Sequence, residues 1–246
     1  MCTVTLLPRP SGFLLAMNRD ENLARVTGLP PEERLVDGRR VLHPSEPGGG
    51  TWISVNESGT AFALVNWYAI EAPANPTAVT RGTVVLALRA ESTSRGASTR
   101  LETLPLDRIR PFRVVGVFAG ETRIREWRWD GHDLLAVDHP WSPGQWSSSG
   151  HDEPGAQRER GRVFQEALAR RPRPDAAWLD RLHASHEPAP GPLSICMHRS
   201  DAATVSGTSV SVDPHRVTLR HWEGPPCCTR PGKTLELSRR AGPLAP

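Results

Sequence analysis

The sequence predicts an α+β fold, and the order of hydrophobic patterns along the chain is the main reason. From residue 3 to residue 137 the chain consists mostly of short β-rich runs separated by turn-forming residues. Apolar residues at helical spacing follow between residues 159 and 182, and β-rich runs return between residues 194 and 222. Strands, then helices, then strands again are typical of an α+β domain whose last strands rejoin the first sheet.

The first half of the chain predicts two β-hairpins, one helix and a three-stranded meander. Each predicted hairpin has a segment of turn-forming residues between two apolar runs, and the helix follows a glycine. The predicted segments are 3–7 with 13–17 and 51–55 with 61–65 for the hairpins, 83–90 for the helix, and 113–119, 122–129 and 134–137 for the meander.

The second half predicts two helices and three further strands. Four apolar residues share one face of a helix over 159–170, and Asp175 is a typical N-cap residue for a second helix that ends near Leu182. We expect a single domain over 1–246, and a boundary near residue 150 is the alternative. The predicted strands are 194–198, 204–212 and 217–222, and the tail from about residue 224 is rich in Pro, Gly and Arg and is predicted to be irregular.

Composition excludes several classes of protein. The chain has 246 residues, is 37% hydrophobic and carries a net charge of +3 from scattered basic residues, which argues against disorder and against a nucleic-acid partner. It contains no run of 18 apolar residues, so we expect no membrane span. Prolines interrupt the first apolar run, and the 4 cysteines are too few for a disulfide scaffold, so we expect a cytoplasmic protein with free thiols.

The dipeptide Met1-Cys2 is the most informative feature of the sequence. An initiator Met is normally removed before a small residue, and the mature chain would then begin with Cys2. A thiol and a free α-amine would share one residue, and an α-amine has a pKa of about 7.7 to 8. It could therefore act as the base that activates the thiol. The alternative is that a cysteine stands at this position by chance.

The first hairpin is predicted to bring polar residues to Cys2. If residues 8–12 form the loop, counting back along antiparallel strands places Cys2 opposite Asn18. A guanidinium such as that of Arg19 favours the thiolate, and the carboxylate of Asp20 could orient the α-amine by a hydrogen bond. The alternative is an ordinary polar turn after a strand.

The second hairpin is predicted to supply an oxyanion site. Its register places Gly49 opposite Asn66, where the side-chain amide and glycine N–H groups could stabilise a tetrahedral oxyanion. Capping of the strand end is the alternative role for Asn66. Three aromatic residues nearby are candidates for the wall of an acyl pocket: Trp52, Trp67 and Tyr68.

Taken together, these motifs resemble the NRDE family. The resemblance is carried by Met1-Cys2-Thr3, Asn18-Arg19-Asp20-Glu21, the segment Gly49-Gly50-Thr51-Trp52-Ile53, Asn56, Gly59, Asn66, Thr80-Arg81-Gly82 and Ser148-Ser149-Gly150. It extends over about residues 1–222. The family resembles N-terminal nucleophile hydrolases, so the resemblance implies a four-layer αββα sandwich. It also implies likeness to the cysteine acylases that cleave bile-salt and penicillin amides.

The resemblance also implies roles for the residues around the thiol. Cys2 would be the nucleophile, Arg19 would stabilise the thiolate, and Asp20 would be the partner of the α-amine. Because neighbouring residues of a strand face opposite ways, Arg19 and Asp20 both reach Cys2 only if the strand has ended. Asn18 is the alternative for one of the two roles. The chain departs from the family at Val205, where an Arg is expected.

We therefore predict an N-terminal cysteine hydrolase acting on a small-molecule substrate with a non-peptide amide or thioester, without a cofactor. Members of the family are also linked to haem handling and to lipid or acyl-CoA homeostasis. The alternative is a non-catalytic protein that binds or carries haem or an acyl ligand, and a third hypothesis is an acyltransferase. The oligomeric state is not predicted.

No metal site is predicted. The 9 histidines show no HxxxH or HExxH pattern, and the pair Cys227-Cys228 lacks the spacing of zinc ligands. His198 lies on a predicted strand and is expected to be structural. The dipeptide Pro226-Cys227 resembles short haem-binding motifs and is the one sequence feature that favours haem.

Overall fold

In a computed structural model, which describes residues 1–71, 77–171 and 173–240, the strands form two antiparallel sheets. In chain order the strands are β1 (Cys2–Arg9), β2 (Gly12–Asn22), β3 (Leu29–Val36), β4 (Arg39–Ser45), β5 (Ile53–Asn56), β6 (Thr60–Asn66), β7 (Phe112–Phe118), β8 (Arg123–Trp129), β9 (Leu134–His139), β10 (Gly144–Ser148), β11 (Ala202–Val212), β12 (Arg216–Trp222) and β13 (Thr234–Ser238). The helices are α1 (Gly82–Leu88), α2 (Ser94–Glu102), α3 (Glu153–Arg170) and α4 (Ala176–His183), with a 3₁₀ turn over Leu106–Arg108.

Within the described residues, sheet A has the strand order β10-β1-β2-β11-β12-β13 and sheet B has the order β3-β4-β5-β6-β7-β8-β9. Three hydrophobic clusters define the layers. One cluster fills the space between the sheets, one joins α1 and α2 to the outer face of sheet B, and one joins α3 and α4 to the outer face of sheet A. The architecture is therefore the four-layer αββα sandwich that the sequence resemblance implies.

The β1–β2 hairpin is confirmed, but its register differs from the prediction by one residue. Arg9 pairs with Gly12, so the turn contains only Pro10 and Ser11. A Cβ atom on Gly12 would lie 1.9 Å from the carbonyl oxygen of Val212 in β11, so only glycine fits there. Because Gly12 belongs to the strand, Cys2 pairs with Arg19 instead of Asn18.

The predicted return of the last strands to the first sheet is also confirmed, since β11 pairs with β2 along its length. The meander β7–β9 and both helices of the second half are present. Helix α3 begins earlier than predicted, because Asp152 caps it by accepting a hydrogen bond from the Gly155 backbone N–H. Among the described residues, no helix is both long enough and apolar enough to cross a lipid bilayer.

Two predictions about the later segments are wrong. Residues 194–198 form no strand, and only His198 makes an isolated bridge, to Ala203. The tail is not wholly irregular, because β13 adds to the edge of sheet A. The sequence patterns also missed β3 and β4. Strand β3 carries two prolines and three charged residues, which an edge strand accommodates because one side of it has no partner strand.

The aromatic cluster on the outer face of sheet B gives a stability prediction. Phe62 is fully buried and packs edge-to-face on Phe118 at a centroid distance of 5.6 Å. We expect Phe62→Ala to lower the free energy of unfolding by about 3–5 kcal/mol, because it leaves a cavity in a close-packed core. Chemical denaturation measures this. Leu35→Ala, at a strand position that is 74% exposed, is the control and should change the free energy of unfolding by less than about 0.5 kcal/mol. Equal losses in the two variants would contradict the assignment of Phe62 to the core.

Candidate active site

Cys2 lies at the start of β1, in a pocket lined by residues from strands of both sheets. The side chain belongs to the hydrophobic cluster between the sheets and is 7% exposed. The pocket has a cavity volume of about 90 Å³, and the predicted residues Arg19, Asp20, Trp52 and Asn66 line it together with Cys2. Four of the five predicted catalytic residues are thus brought to one place.

Arg19 pairs with Cys2 across the β1–β2 hairpin, and three neighbouring side chains hold its guanidinium in place. Its guanidinium donates to the carboxylates of Glu21 at 3.1 Å and Glu46 at 2.9 Å. It also lies over the Trp52 ring, 4.7 Å from the ring centroid. Glu46 follows β4, so this contact joins the two sheets at the mouth of the pocket.

Asp20 and Asn18 point to the other face of sheet A. The Asp20 carboxylate accepts hydrogen bonds from Arg160 at 3.3 Å and from the Thr204 hydroxyl at 2.6 Å. The Asn18 amide donates to the carbonyl oxygens of His183 and Ile195. The strand continues to Asn22, so the alternation of side chains separates both residues from the thiol. The pocket therefore meets the backbone of Asp20, while Asn18 lies outside it.

The main chain at the N-terminus is held by two different strands. The α-amine of Met1 donates to the carbonyl oxygen of Asp20 at 2.9 Å, and the backbone N–H of Cys2 donates to Ser148 Oγ at 3.0 Å. Met1 itself lines the pocket. Loss of Met1 would therefore widen the pocket and turn the nitrogen bound to Ser148 into the α-amine.

Burial sets the protonation of the thiol. It raises the pKa of Cys2 above its ordinary value, while the nearby N-terminal amine lowers that pKa, Asp20 raises it and Arg19 lowers it. Burial is the dominant effect, so the neutral thiol is favoured while Met1 is present.

Asn66 ends β6 and lines the pocket from sheet B. Its amide donates to the Tyr68 hydroxyl at 2.7 Å, and the Tyr68 ring lies 5.6 Å from the Arg81 guanidinium. Among the aromatic residues that were predicted to line an acyl pocket, Trp52 lines the pocket. Tyr68 is connected to it by the hydrogen bond from Asn66. Trp67 is not among the residues that line it.

The glycine segment forms the loop between β4 and β5 and approaches α1 closely. The Thr51 N–H donates to the carbonyl oxygen of Gly82, and a Cβ atom on Gly82 would lie 2.9 Å from the Gly50 Cα atom. The N–H of Gly49 donates to the Glu46 carbonyl within the loop, so it is not directed at the thiol. The same loop lines a wider neighbouring cavity of about 490 Å³ that shares Arg19 with the pocket.

The late strand β11 has Val205 where the resemblance implies an Arg. Val205 lies in a β-bulge, because the pairing of β11 with β2 shifts between Thr204 and Ser206. Arg199, the nearest arginine upstream of Val205, pairs with Asp201 at 2.6 Å and does not line the Cys2 pocket. Within the described residues, no arginine of this part of the chain reaches the thiol pocket.

Sequence reasoning missed three residues of the site. Ser148 holds the Cys2 nitrogen, Arg81 lines the pocket, and Arg160 binds Asp20 from helix α3. The first two belong to the Ser-Ser-Gly and Thr-Arg-Gly motifs, so treating those motifs as site residues would have found them. No sequence pattern identifies Arg160 as a site residue, because it resembles any other basic residue of an amphipathic helix.

Solved structures share this fold. Penicillin V acylase from Agrobacterium tumefaciens aligns with a TM-score of 0.53 and 11% identity, over 91% of this chain and 83% of that one. A variant of conjugated bile acid hydrolase from Clostridium perfringens aligns with a TM-score of 0.59 and 9% identity, over 99% and 94%. The fold is therefore that of the N-terminal nucleophile hydrolases.

A family model assigns the chain to a family. The model described as Transport and Golgi organisation 2 matches residues 1–123, which is half of the chain. The chain belongs to the Transport and Golgi organisation 2 family. This is the NRDE family that the Asn18-Arg19-Asp20-Glu21 motif resembles. No curated protein matches the sequence.

The buried ion pair beneath the site gives a second prediction. Arg160 and Asp20 are both fully buried, and removing the guanidinium leaves an unpaired carboxylate. We expect Arg160→Met to lower the free energy of unfolding by about 3–5 kcal/mol. Arg162→Met, an exposed position on the same helix, should cost less than about 1 kcal/mol. In the double variant Arg160→Met/Asp20→Asn the loss should be smaller than the sum of the single losses; additive losses would contradict the pairing.

The charge of Arg19 gives a third prediction, for the reactivity of the thiol. Because Arg19 lowers the pKa of Cys2, we expect Arg19→Gln to raise that pKa and shift the pH profile of Cys2 alkylation to higher pH. The iodoacetamide rate at pH 7, followed by peptide mapping, should fall several-fold. Arg25→Gln removes an exposed arginine of the same pocket and is the control. An unchanged profile in Arg19→Gln would show that the guanidinium does not act on the thiol.

Proposed function

We propose that the protein is an N-terminal cysteine hydrolase that cleaves a non-peptide amide or a thioester of a small molecule. The observation that carries the proposal is the placement of the Cys2 thiol in a pocket with Arg19 directly opposite and its backbone nitrogen held by Ser148. The proposal requires removal of Met1, after which thiol and α-amine face the same pocket.

In the first half of the reaction, the Cys2 sulfur bonds to the substrate carbonyl carbon while the α-amine accepts the thiol proton. The tetrahedral intermediate collapses when the bond to the leaving amine or thiol breaks, and the leaving group takes that proton. The product of this half is a thioester between Cys2 and the acyl group.

In the second half, water adds to the thioester and gives a proton to the same α-amine. The carbon–sulfur bond then breaks, the acid leaves and the sulfur recovers the proton. Ser148 would hold the amine in both halves, since its hydroxyl oxygen accepts a hydrogen bond from the Cys2 nitrogen. Asp20 would act on the thiol through its backbone, and its carboxylate is a positioning group held by Arg160.

Asn66 is the proposed donor to the oxyanion. Asn66 lines the pocket at the end of β6, and its amide carries two N–H bonds, of which the Tyr68 hydroxyl uses one. Arg81 adds a positive charge to the same side of the pocket. Substrates with an acidic group near the scissile carbonyl would therefore be favoured.

The size of the site limits the substrate. With Met1 in place, the cavity of about 90 Å³ is smaller than the roughly 300–1,000 Å³ of typical small-molecule sites. Loss of Met1 would add room for the reacting end of a substrate. The neighbouring cavity of about 490 Å³ beside the glycine loop offers room for the remainder of an acyl chain.

A fourth prediction tests the nucleophile. We expect an electrophilic acyl probe to label Cys2 at neutral pH once Met1 is absent, and Cys2→Ala to abolish both labelling and turnover. The measurement is peptide mapping in a Cys228→Ser background, because Cys228 is exposed and would react by itself. Turnover that survives Cys2→Ala would exclude this mechanism.

Intact mass measurement is the companion control, because it shows whether Met1 is removed. A chain that keeps Met1 should be inactive, and active protein that still carries Met1 would exclude the α-amine as base. The non-catalytic hypothesis makes a different prediction: a carrier would bind haem or an acyl ligand without turnover in both wild type and Cys2→Ala. An acyltransferase would give turnover only with an added amine acceptor.

A further inference from the structure

A second cluster of reactive side chains lies away from the Cys2 pocket. It is formed by His186, Cys196, His198 and Cys227, whose ligand atoms all lie within 4.8 Å of one another. The first three belong to the segment between α4 and β11, and Cys227 belongs to the turn that follows β12. We infer that these residues form a structural zinc site of the Cys₂His₂ type.

The distances within the cluster fit one tetrahedral ion. Zinc binds sulfur at about 2.3 Å and imidazole nitrogen at about 2.0–2.1 Å, which separates tetrahedral ligand atoms by roughly 3.3–3.8 Å. The His198 Nε2 atom lies 3.8 Å from Cys196 Sγ and 3.3 Å from Cys227 Sγ. The two histidine rings lie at a centroid distance of 4.9 Å. The cluster thus already has close to the spacing of a metal site.

An unpartnered polar atom supports the same conclusion. The buried Nε2 atom of His186 has no hydrogen-bond partner among the described residues. A buried ring nitrogen without a partner is costly, and a metal ion would satisfy it. His186 is one of the four residues that converge, so the unpartnered nitrogen belongs to a proposed ligand.

The chemistry of the four ligands selects zinc over haem. Two thiolates and two imidazoles in tetrahedral reach are typical of structural zinc. A haem iron takes its four equatorial ligands from the porphyrin, so four protein ligands within 4.8 Å leave no place for the ring. The dipeptide Pro226-Cys227 is thereby explained by a metal site, although the sequence spacing had predicted none.

The backbone around the cluster is already ordered for binding. The Cys196 N–H donates to the Ser185 carbonyl, and the Ser194 hydroxyl donates to the Cys196 carbonyl. On the other side, the Cys228 N–H donates to the Pro225 carbonyl, which closes the turn that presents Cys227. Four protein ligands also leave no open position, which is the mark of a structural site.

The site would stabilise the segment that supports the hairpin of the N-terminal strand. Ile195 accepts a hydrogen bond from Asn18, and the Met197 N–H donates to the Thr204 hydroxyl, which donates to Asp20. An ion that joins this segment to the turn after β12 would fix both contacts. This role does not depend on catalysis at Cys2.

The test uses the full chain, without a polyhistidine tag, reduced, equilibrated with zinc and freed of excess metal. We expect about one zinc ion per chain by elemental analysis. Cobalt(II) should give the visible bands of tetrahedral coordination and a thiolate charge-transfer band. Cys227→Ser should weaken zinc binding more than about 100-fold, because loss of a supporting contact alone costs about 10–100-fold.

Cys228→Ser, which changes the exposed neighbouring thiol, is the matched control and should keep the ion. If Cys227→Ser does not fold, zinc binding by His186→Gln is compared with that by His215→Gln, which changes an exposed histidine. Absence of bound zinc in the reduced wild type would overturn the proposal. Equal zinc binding by Cys227→Ser and Cys228→Ser, or by His186→Gln and His215→Gln, would also overturn it. A disulfide between Cys196 and Cys227 in a chain whose reduced form binds no metal would have the same consequence.

Discussion

The buried ion pair between Arg160 and Asp20 is the interaction on which the position of the thiol depends. One guanidinium, fully buried, donates to Thr3 in β1, to Asp20 in β2 and to the carbonyl oxygen of Pro192. Buried pairs of this kind contribute little net stability, but they penalise arrangements that separate them. A slip of β2 by one residue would turn Asp20 toward the other sheet and leave Arg160 alone in the core. The pair therefore selects the register that places Arg19 opposite Cys2.

The pocket on the other face of the same strands has a different balance of charge. Arg19 is shared between two carboxylates and an aromatic ring, so its charge is largely compensated before any substrate arrives. Arg81 contacts the Tyr68 ring and the carbonyl oxygen of Pro111. The two cations therefore differ: one is part of the framework of the pocket, and the other has charge to offer to a ligand.

Local sequence signals were sufficient for the elements that carry the thiol, whereas the long-range side-chain partners of the site were not predictable from them. Two β-rich apolar runs around a cluster of turn-forming residues predicted the β1–β2 hairpin, and its register was missed because Gly12 joins the strand. The partner of Asp20 lies 140 residues away on a helix, and no local pattern identifies it. The cluster around Cys227 was missed for the same reason, since zinc motifs are recognised by spacing and these ligands come from two loops 29 residues apart.

The place of β1 in the interior of sheet A has a consequence for how the protein is made. Strand β1 has to wait for the synthesis of β10, whose Ser148 follows Cys2 by 146 residues. At about 5–20 residues per second, this delay lasts roughly 7–30 s. The segment around Cys2 stays accessible throughout that interval, which gives time for the removal of Met1 that the proposed function requires. Translation that stops short of residue 148 would leave the same strand with an open edge, ready to pair with another chain.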